Sequence, residues 1–524
     1  MSEARLWFDA EDLFHFGRHG GRPSGIQRVC FEIYAALMDD PVLAGRVGFL
    51  RHAPNAGPHG SGFVEAGWAE IRQIIDRATA ARDDAALPGS PGAAMRAADG
   101  DAAGHPRGVA GYGRRAAKRA LGVVPDHVRR PAQLFAVMQV QAAAALAGAA
   151  TRTAAMGAAR AHRSLGTVVR SRVDPSSRLG ARAAALWPED GLEPEPLPLE
   201  AVARRGDVLV VLGSPWFESD YARRAAFLRG RLGLRLAVLV YDAIPALRPE
   251  WTSRGMVRAY RGWYGSVLPL ADRIFAISRA TADDLGRWCR RDNIVLRAPV
   301  ELLPLGTGFG PEQPGKAGDA AAGGNGEAAA ESLPPVLARR LEGRPFVLFV
   351  STIEARKNHL LLFRAWRRLL EEMPPTDVPD LVFAGSVGWL VADLMAQIEN
   401  SRFLGGRLHV LEGLGDEALR SLYRGCLFTI FPSFHEGWGL PVAESFAMGK
   451  PCLASNATAL PEAGGELARY FDPTDLHDTV RAIRAVLEDR EGLRNWEAEV
   501  RRSFQPSSWH RTARTLVERI LAPG

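Results

Sequence analysis

Short apolar runs, each closed by glycine, proline or a polar cluster, recur in two separate stretches of the chain and alternate with segments of helical spacing. Leu6-Trp7-Phe8-Asp9 reads as a strand near the start, and Leu236 to Tyr241 as a buried strand that ends at Tyr241-Asp242 and breaks at Pro245. Phe346 to Val350 is another, running into Ser351-Thr352 and the polar Glu354 to Asn358 before a leucine-bearing helix begins at His359. Cys426 to Phe431 feeds a loop, a helix starts near Leu440 and stops at Gly449 and Pro451, and Cys452-Leu453-Ala454 is the next strand. That strand–loop–helix–strand succession predicts a parallel sheet of an α/β fold, with ligand chemistry at the carboxyl ends of its strands.

Chemistry concentrates in Phe431 to Pro451. Glu436, the turn Gly437-Trp438-Gly439, Pro441 and a second acid, Glu444, eight residues after the first, follow in tight order. Proline suits a first helical turn because its missing N–H would have been unpaired there. The amides at such a helix start carry partial positive charge and unpaired donors, a ready site for a diphosphate. One turn further on, Glu444 offers acceptors to vicinal hydroxyls such as those of a ribose. Arg356 and Lys357, two adjacent cations beyond the Phe346–Val350 strand, suit the charge that grows on a leaving nucleotide.

In these residues the chain resembles the E-x7-E signature of the retaining family-four glycosyltransferases, whose GT-B fold sets two Rossmann-like domains across a cleft. The resemblance implies that Glu444 holds the ribose of a nucleoside diphosphate sugar, that Glu436 contacts the donor sugar, and that Gly437, Trp438, Gly439 and Leu440 receive the diphosphate. Ser351 to Asn358 resembles the family's G-T-x-E-P-R-K-N loop, in which the basic pair contacts the donor phosphates. Thr352 stands about where many relatives carry an arginine, which places more of that work on Arg356 and Lys357. Arg22 to Val29 is similar to the T-G-I-Q-R-V element of bacterial O-antigen and capsule transferases. Gly25 there opens a helix and lets backbone approach the donor phosphate from the other domain, or is a plain helix-start glycine. Relatives often carry histidine at Tyr241 or directly before Asp242, beside the reacting sugar. Tyrosine does not titrate near neutrality, so Tyr241 is positional. Asp242 is a catalytic candidate or a helix cap. Ile274 to Ser278 and Pro304 to Gly308 correspond to end-of-domain strands, and Leu381 to Ser386 and Gly413 to Gly415 to nucleotide-side loops.

Taken as a whole, the resemblance implies a hexosyltransferase acting on a growing surface-polysaccharide or lipid-linked oligosaccharide acceptor, with GDP-mannose the first candidate donor and a UDP-hexose the second. The alternative is a nucleotide-sugar epimerase on the same scaffold, or a catalytically inactive sugar-nucleotide-binding protein. No cofactor beyond the donor and no metal is expected, since cations and helix amides serve the diphosphate. The Asp-x-Asp at Asp99 and Asp101 lies in low-complexity sequence.

At 524 residues the chain accommodates two domains with some excess. The expected division is a first, acceptor-side domain over 1–310 interrupted by an insertion over about 73–207, a linker over 311–335, and a donor-binding domain over 336–507. A last helix, 508–524, returns to the first domain. Four scattered cysteines without a C-x-x-C pair argue against a zinc site or disulfide framework and fit a reducing cytoplasm, and the start lacks a signal-peptide pattern. Arg107 to Arg182 carries a net charge of +12, whereas the whole chain is +6, so the basic character belongs to the insertion. Its few aromatics disfavour nucleic acid. Arginines around the apolar Leu134 to Ala150 suggest peripheral contact with the anionic inner face of the cytoplasmic membrane, against a solvated alanine-rich segment as the other reading.

Overall fold

The computed structural model describes residues 4–19, 25–53, 61–83, 196–307, 338–339 and 341–522. Most of the insertion, including Leu134 to Ala150 and Asp99 to Asp101, lies outside them, as do the expected linker and Arg22 to Ser24.

Seven strands form a first sheet in the order β3-β2-β1-β4-β5-β6-β7. They are β1 (Leu6–Asp9), β2 (Val47–His52), β3 (Phe63–Ala66), β4 (Val208–Val211), β5 (Arg235–Val240), β6 (Arg273–Ala276) and β7 (Val300–Leu302). All adjacent pairs are parallel except β2 with β3. A second, wholly parallel sheet runs β10-β9-β8-β11-β12-β13. Its strands are β8 (Phe346–Val350), β9 (Asp380–Ala384), β10 (Leu408–Leu411), β11 (Thr429–Phe431), β12 (Cys452–Ser455) and β13 (Arg469–Phe471).

Strands this apolar are covered on both faces, as parallel sheets require. Leu6 and Phe8 of β1 enter one core cluster while Trp7 between them enters another. In β8, Val347 and Phe349 face one cluster, and Phe346 and Leu348 the other. The strand period of two thus divides each run between two helical layers.

Two elements differ in extent from the pattern. The expected strand from Cys426 begins at Thr429 by geometry, because Cys426 ends the helix Asp416–Gly425. Its ladder has already started, with Leu427 N donating to Phe346 O at 2.9 Å. Pro304 to Thr307 is not a strand, and the last strand of the first sheet is Val300–Leu302 just before it. The segment after β7 instead gives its polar groups to the chain's end: Thr307 N donates to Ser507 O at 2.8 Å, and Thr512 Oγ1 to Pro304 O at 2.8 Å. From there the helix Trp509–Leu521 lays Trp509, Ala513, Leu516, Val517 and Ile520 into the first sheet's core beside Val29, Ile33 and Leu37 of the helix Gly25–Asp39.

Candidate active site

The order of the second sheet reverses between β8 and β11, and in an open α/β sheet the crevice beyond such a switch is where ligands bind. The loop leaving β8 tightens into one short turn, Ala355–Lys357, and ends at Asn358, whose φ of 60° is a left-handed conformation that asparagine tolerates. Asn358 Nδ2 donates to Pro432 O at 3.1 Å and Pro473 O at 3.0 Å, pinning this loop to the one leaving β11. Phe434 N donates to Arg356 O at 3.0 Å, a second tie.

Held this way, both cations converge on one carboxylate. Arg356 Nη1 donates to Glu436 Oε2 at 2.7 Å and to His435 O at 2.7 Å, and Lys357 Nζ donates to Glu436 Oε1 at 2.6 Å. Arg356 Nη2 reaches Glu354 Oε1 at 2.6 Å. Burial pushes the Glu436 carboxyl up, but the charges of Arg356 and Lys357 outweigh it and hold the group at about 2. Burial also pulls the Lys357 ammonium below its ordinary value, against the opposing pull of Glu436.

The loop leaving β11 is anchored by Ser455 Oγ donating to Ser433 O at 2.7 Å and by Glu436 N donating to Thr458 Oγ1 at 2.9 Å. Gly439, at φ 130°, makes the corner that a side chain would strain, and the helix Leu440–Ala447 follows with Pro441 in its first turn. Among the described residues, the amides of Gly437, Trp438, Gly439 and Leu440 donate to no protein acceptor. Glu444, one turn into that helix, is 5 % exposed. Tyr423 donates its hydroxyl to Glu444 Oε2 at 3.0 Å, and Arg28 Nη1 donates to Oε1 at 2.6 Å.

The first domain closes directly on this turn. A Cβ added to Gly437 would press into the Tyr241 carbonyl, so only glycine lets these backbones meet. Thr281 Oγ1 lies 3.0 Å from Tyr241 O and 3.1 Å from Gly437 O, within reach of a carbonyl from each domain. His435 Nε2 sits 2.6 Å from Asp284 Oδ2, and Trp251 stacks on Phe434 with ring centroids 5.8 Å apart. Trp438 and Leu440 pack against the first sheet's core.

The first sheet has its own switch, between β1 and β4. There Asp12 accepts from Gln27 Nε2 at 2.8 Å and Ser214 Oγ at 3.1 Å, and burial raises its pKa. Asp9 accepts the Tyr221 hydroxyl at 2.7 Å and lies 3.1 Å from His52 Nε2. Burial works against charge on His52, yet the Asp9 carboxylate prevails and lifts the imidazole to about 10. Gln27 and Arg28, neighbours in the first turns of one helix, thus divide between the two domains: one ties down Asp12, the other reaches Glu444.

Of the sequence-predicted residues, Glu436, Arg356, Lys357, Glu444 and the turn Gly437 to Leu440 come together on the second domain's face of the cleft. Asp242 ends up against Gly437, with Oδ1 accepting Ile244 N at 2.9 Å as a cap does, and burial raises its pKa despite Arg356 nearby. Thr352 is exposed and joins none of these ion pairs. Among the described residues nothing crowds Gly25 at its helix start, and Arg28, three residues on, reaches across the cleft. Helical spacing puts those two positions on one face, and Arg28 is itself the arginine of the segment that resembles T-G-I-Q-R-V. Tyr423 and Asp12 gave no such signal.

Residues 338–503 match the family model "Glycosyl transferases group 1", a window that holds Arg356, Lys357, Glu436 and Glu444. The chain is 26% identical over 298 residues to the serotype-specific mannosyltransferase WbdA of Escherichia coli, covering 54% of this chain and 34% of that protein. It is 32% identical over 160 residues to O-antigen chain mannosyltransferase B of Escherichia coli, covering 30% of this chain and 41% of that one. Among solved structures it is similar to Anabaena HepE in complex with UDP-glucose, at 16% identity and a TM-score of 0.45 over 60% of this chain and 78% of that one. The alignments therefore span well under half the length of these two curated relatives.

Proposed function

We propose that this chain, whose residues 338–503 form a group 1 glycosyltransferase domain, is a retaining hexosyltransferase that moves mannose from GDP-mannose to a growing surface-polysaccharide or lipid-linked oligosaccharide acceptor. One observation carries the reading above others: helix-start amides that, among the described residues, donate to no protein acceptor lie between an acid clasped by two cations and an acid one helical turn along, and the first domain meets this segment at Gly437 and Glu444. The diphosphate docks on the amides of Gly437 to Leu440, the ribose hydroxyls on Glu444, and the sugar beside Glu436.

Bond-breaking moves the electron pair of the glycosidic bond onto the leaving diphosphate. Arg356, Lys357 and the helix amides stabilise that charge where it develops. The acceptor hydroxyl attacks the anomeric carbon from the leaving-group face, and its proton passes to the departing phosphate oxygen. No protein nucleophile is required, and no metal is asked to do what these groups do. Asp242, enclosed against Gly437, takes a positioning role beside the sugar. The choice of mannose draws on the activities named for the two Escherichia coli relatives. Among the described residues no helix is long and apolar enough to cross a membrane. Peripheral contact is assigned to the basic insertion, and deleting Arg107 to Arg182 should weaken co-sedimentation with anionic liposomes.

The deciding experiment incubates the full chain with GDP-mannose, UDP-glucose and UDP-galactose, each with and without a saccharide acceptor and with chelator present throughout. Transfer with retained anomeric configuration from GDP-mannose supports the proposal, whereas an epimerised donor in the absence of acceptor supports an epimerase. Glu444→Ala and Lys357→Ala should each abolish turnover while the protein remains folded. Normal rates in either variant would remove that residue from the site.

A further inference from the structure

Glu444 is already engaged on both oxygens. Tyr423, fully buried, holds Oε2, and Arg28, with a side chain 28% exposed, holds Oε1. A ribose diol needs lone pairs on that carboxylate, and a charged guanidinium competes for the same ones. The partner able to yield is Arg28, because it lies at the cleft and comes from the opposite domain.

Charge points the same way. Within the paired group on the second domain, the cations are Arg356 and Lys357 and the anions are Glu354 and Glu436. Those four cancel, and Glu444 leaves the group with net negative charge. A diphosphate arriving there meets repulsion unless a further cation joins it. Among the described residues, Arg28 is the first-domain cation paired into this group, and Glu32 and Asp416 add to the field that keeps it charged. Glu444 stands four residues past Leu440, about 6 Å along the helix axis, within the sweep of an arginine side chain.

We propose that Arg28 is a donor-binding residue that Glu444 holds in reserve: the incoming ribose takes Oε1, and the released guanidinium turns onto the diphosphate at the Leu440 end of the helix. This rests on the nucleotide-sugar reading of the same site. Arg28 then has two states, one closing the empty cleft and one clamping the donor across it. A guanidinium fits the second because it can meet two phosphate oxygens at once, which an ammonium does not.

Calorimetric titration of the full chain with guanosine and with GDP, and in parallel with uridine and UDP, tests this with chelator present. Arg28→Ala should bind the matching nucleoside more tightly than wild type, since a competitor for Glu444 is gone. It should bind the diphosphate at least about tenfold more weakly, with Arg28→Lys in between. The ratio of diphosphate to nucleoside affinity is therefore the quantity that collapses. An unchanged ratio, or parallel weakening of both ligands as a merely structural loss would produce, overturns the assignment. Glu444→Ala separates the two levels. If it leaves nucleoside binding untouched, the nucleotide site itself is misassigned; if it abolishes nucleoside binding while Arg28→Ala behaves as wild type, only the role of Arg28 falls.

Discussion

Replacing Gly437 with alanine tests the closed cleft at its tightest point. The added Cβ would lie 3.1 Å from both the Tyr241 carbonyl carbon and the Asp242 Cβ, and closer still to the Tyr241 oxygen. Ordinary contacts begin at about 3.5 Å, so the two carbon contacts need about 0.4 Å, and the closer approach to the Tyr241 oxygen sets the required shift at about 1 Å or more. Gly437 is not among the residues with positive φ, so alanine meets no local backbone strain. The obstacle is in the other domain, and the least costly escape is for the two domains to part. Such a parting moves Glu436 and the helix-start amides away from whatever the first domain holds. A misplacement of about 1 Å in a reacting pair costs on the order of a hundredfold in rate. The expected outcome is a loss of about that size in kcat/KM, with a melting curve displaced by less than about 1 kcal/mol because neither core is touched. Steady-state transfer assays and thermal melting read the two quantities, and Thr281→Val gives a second view by removing the hydroxyl that lies between the two carbonyls. A Gly437→Ala enzyme within about twofold of wild type, equally stable, would mean that this contact is not part of the catalytic arrangement.

Three other outcomes are expected. Glu436→Gln strips the counter-charge from two cations; since the folded carboxyl sits at about 2, wild type should lose its advantage in stability over this variant only as pH falls from about 4.5 toward 2, measured by denaturant melts. His52 is held at about 10, above its unfolded value near 6.5, so its contribution is full below about pH 6.5 and fades as pH climbs through that window. The wild-type advantage over His52→Gln should therefore shrink with rising pH, by at most about 1.4 kcal/mol per unit, and a constant gap would argue against the Asp9–His52 pair. Trp509→Ala should cost about 3–5 kcal/mol in chemical denaturation by emptying the indole's seat over Gly306, and a change under about 1 kcal/mol would mean the last helix contributes little to the first domain.

Residues adjacent along the chain encode part of this protein directly. The apolar runs of β1, β5, β8, β11 and β12 were legible because a strand buried on both faces must be apolar throughout. The start of the helix at Leu440 was legible because Gly439, Leu440 and Pro441 are consecutive. Pro304 to Thr307 was expected as a strand from the family resemblance alone; its proline and glycine do not suit one, and Thr307 pairs instead with Ser507, 200 positions later. That Arg356 and Lys357 clasp Glu436, that Arg28 reaches Glu444 from 416 positions away, and that Gly437 lies on Tyr241 emerges only in the folded chain. Local propensity acts over a turn or two of backbone. Which side chains share a cleft depends on strand order in two sheets and on how the domains close, and those follow from the burial of the whole chain.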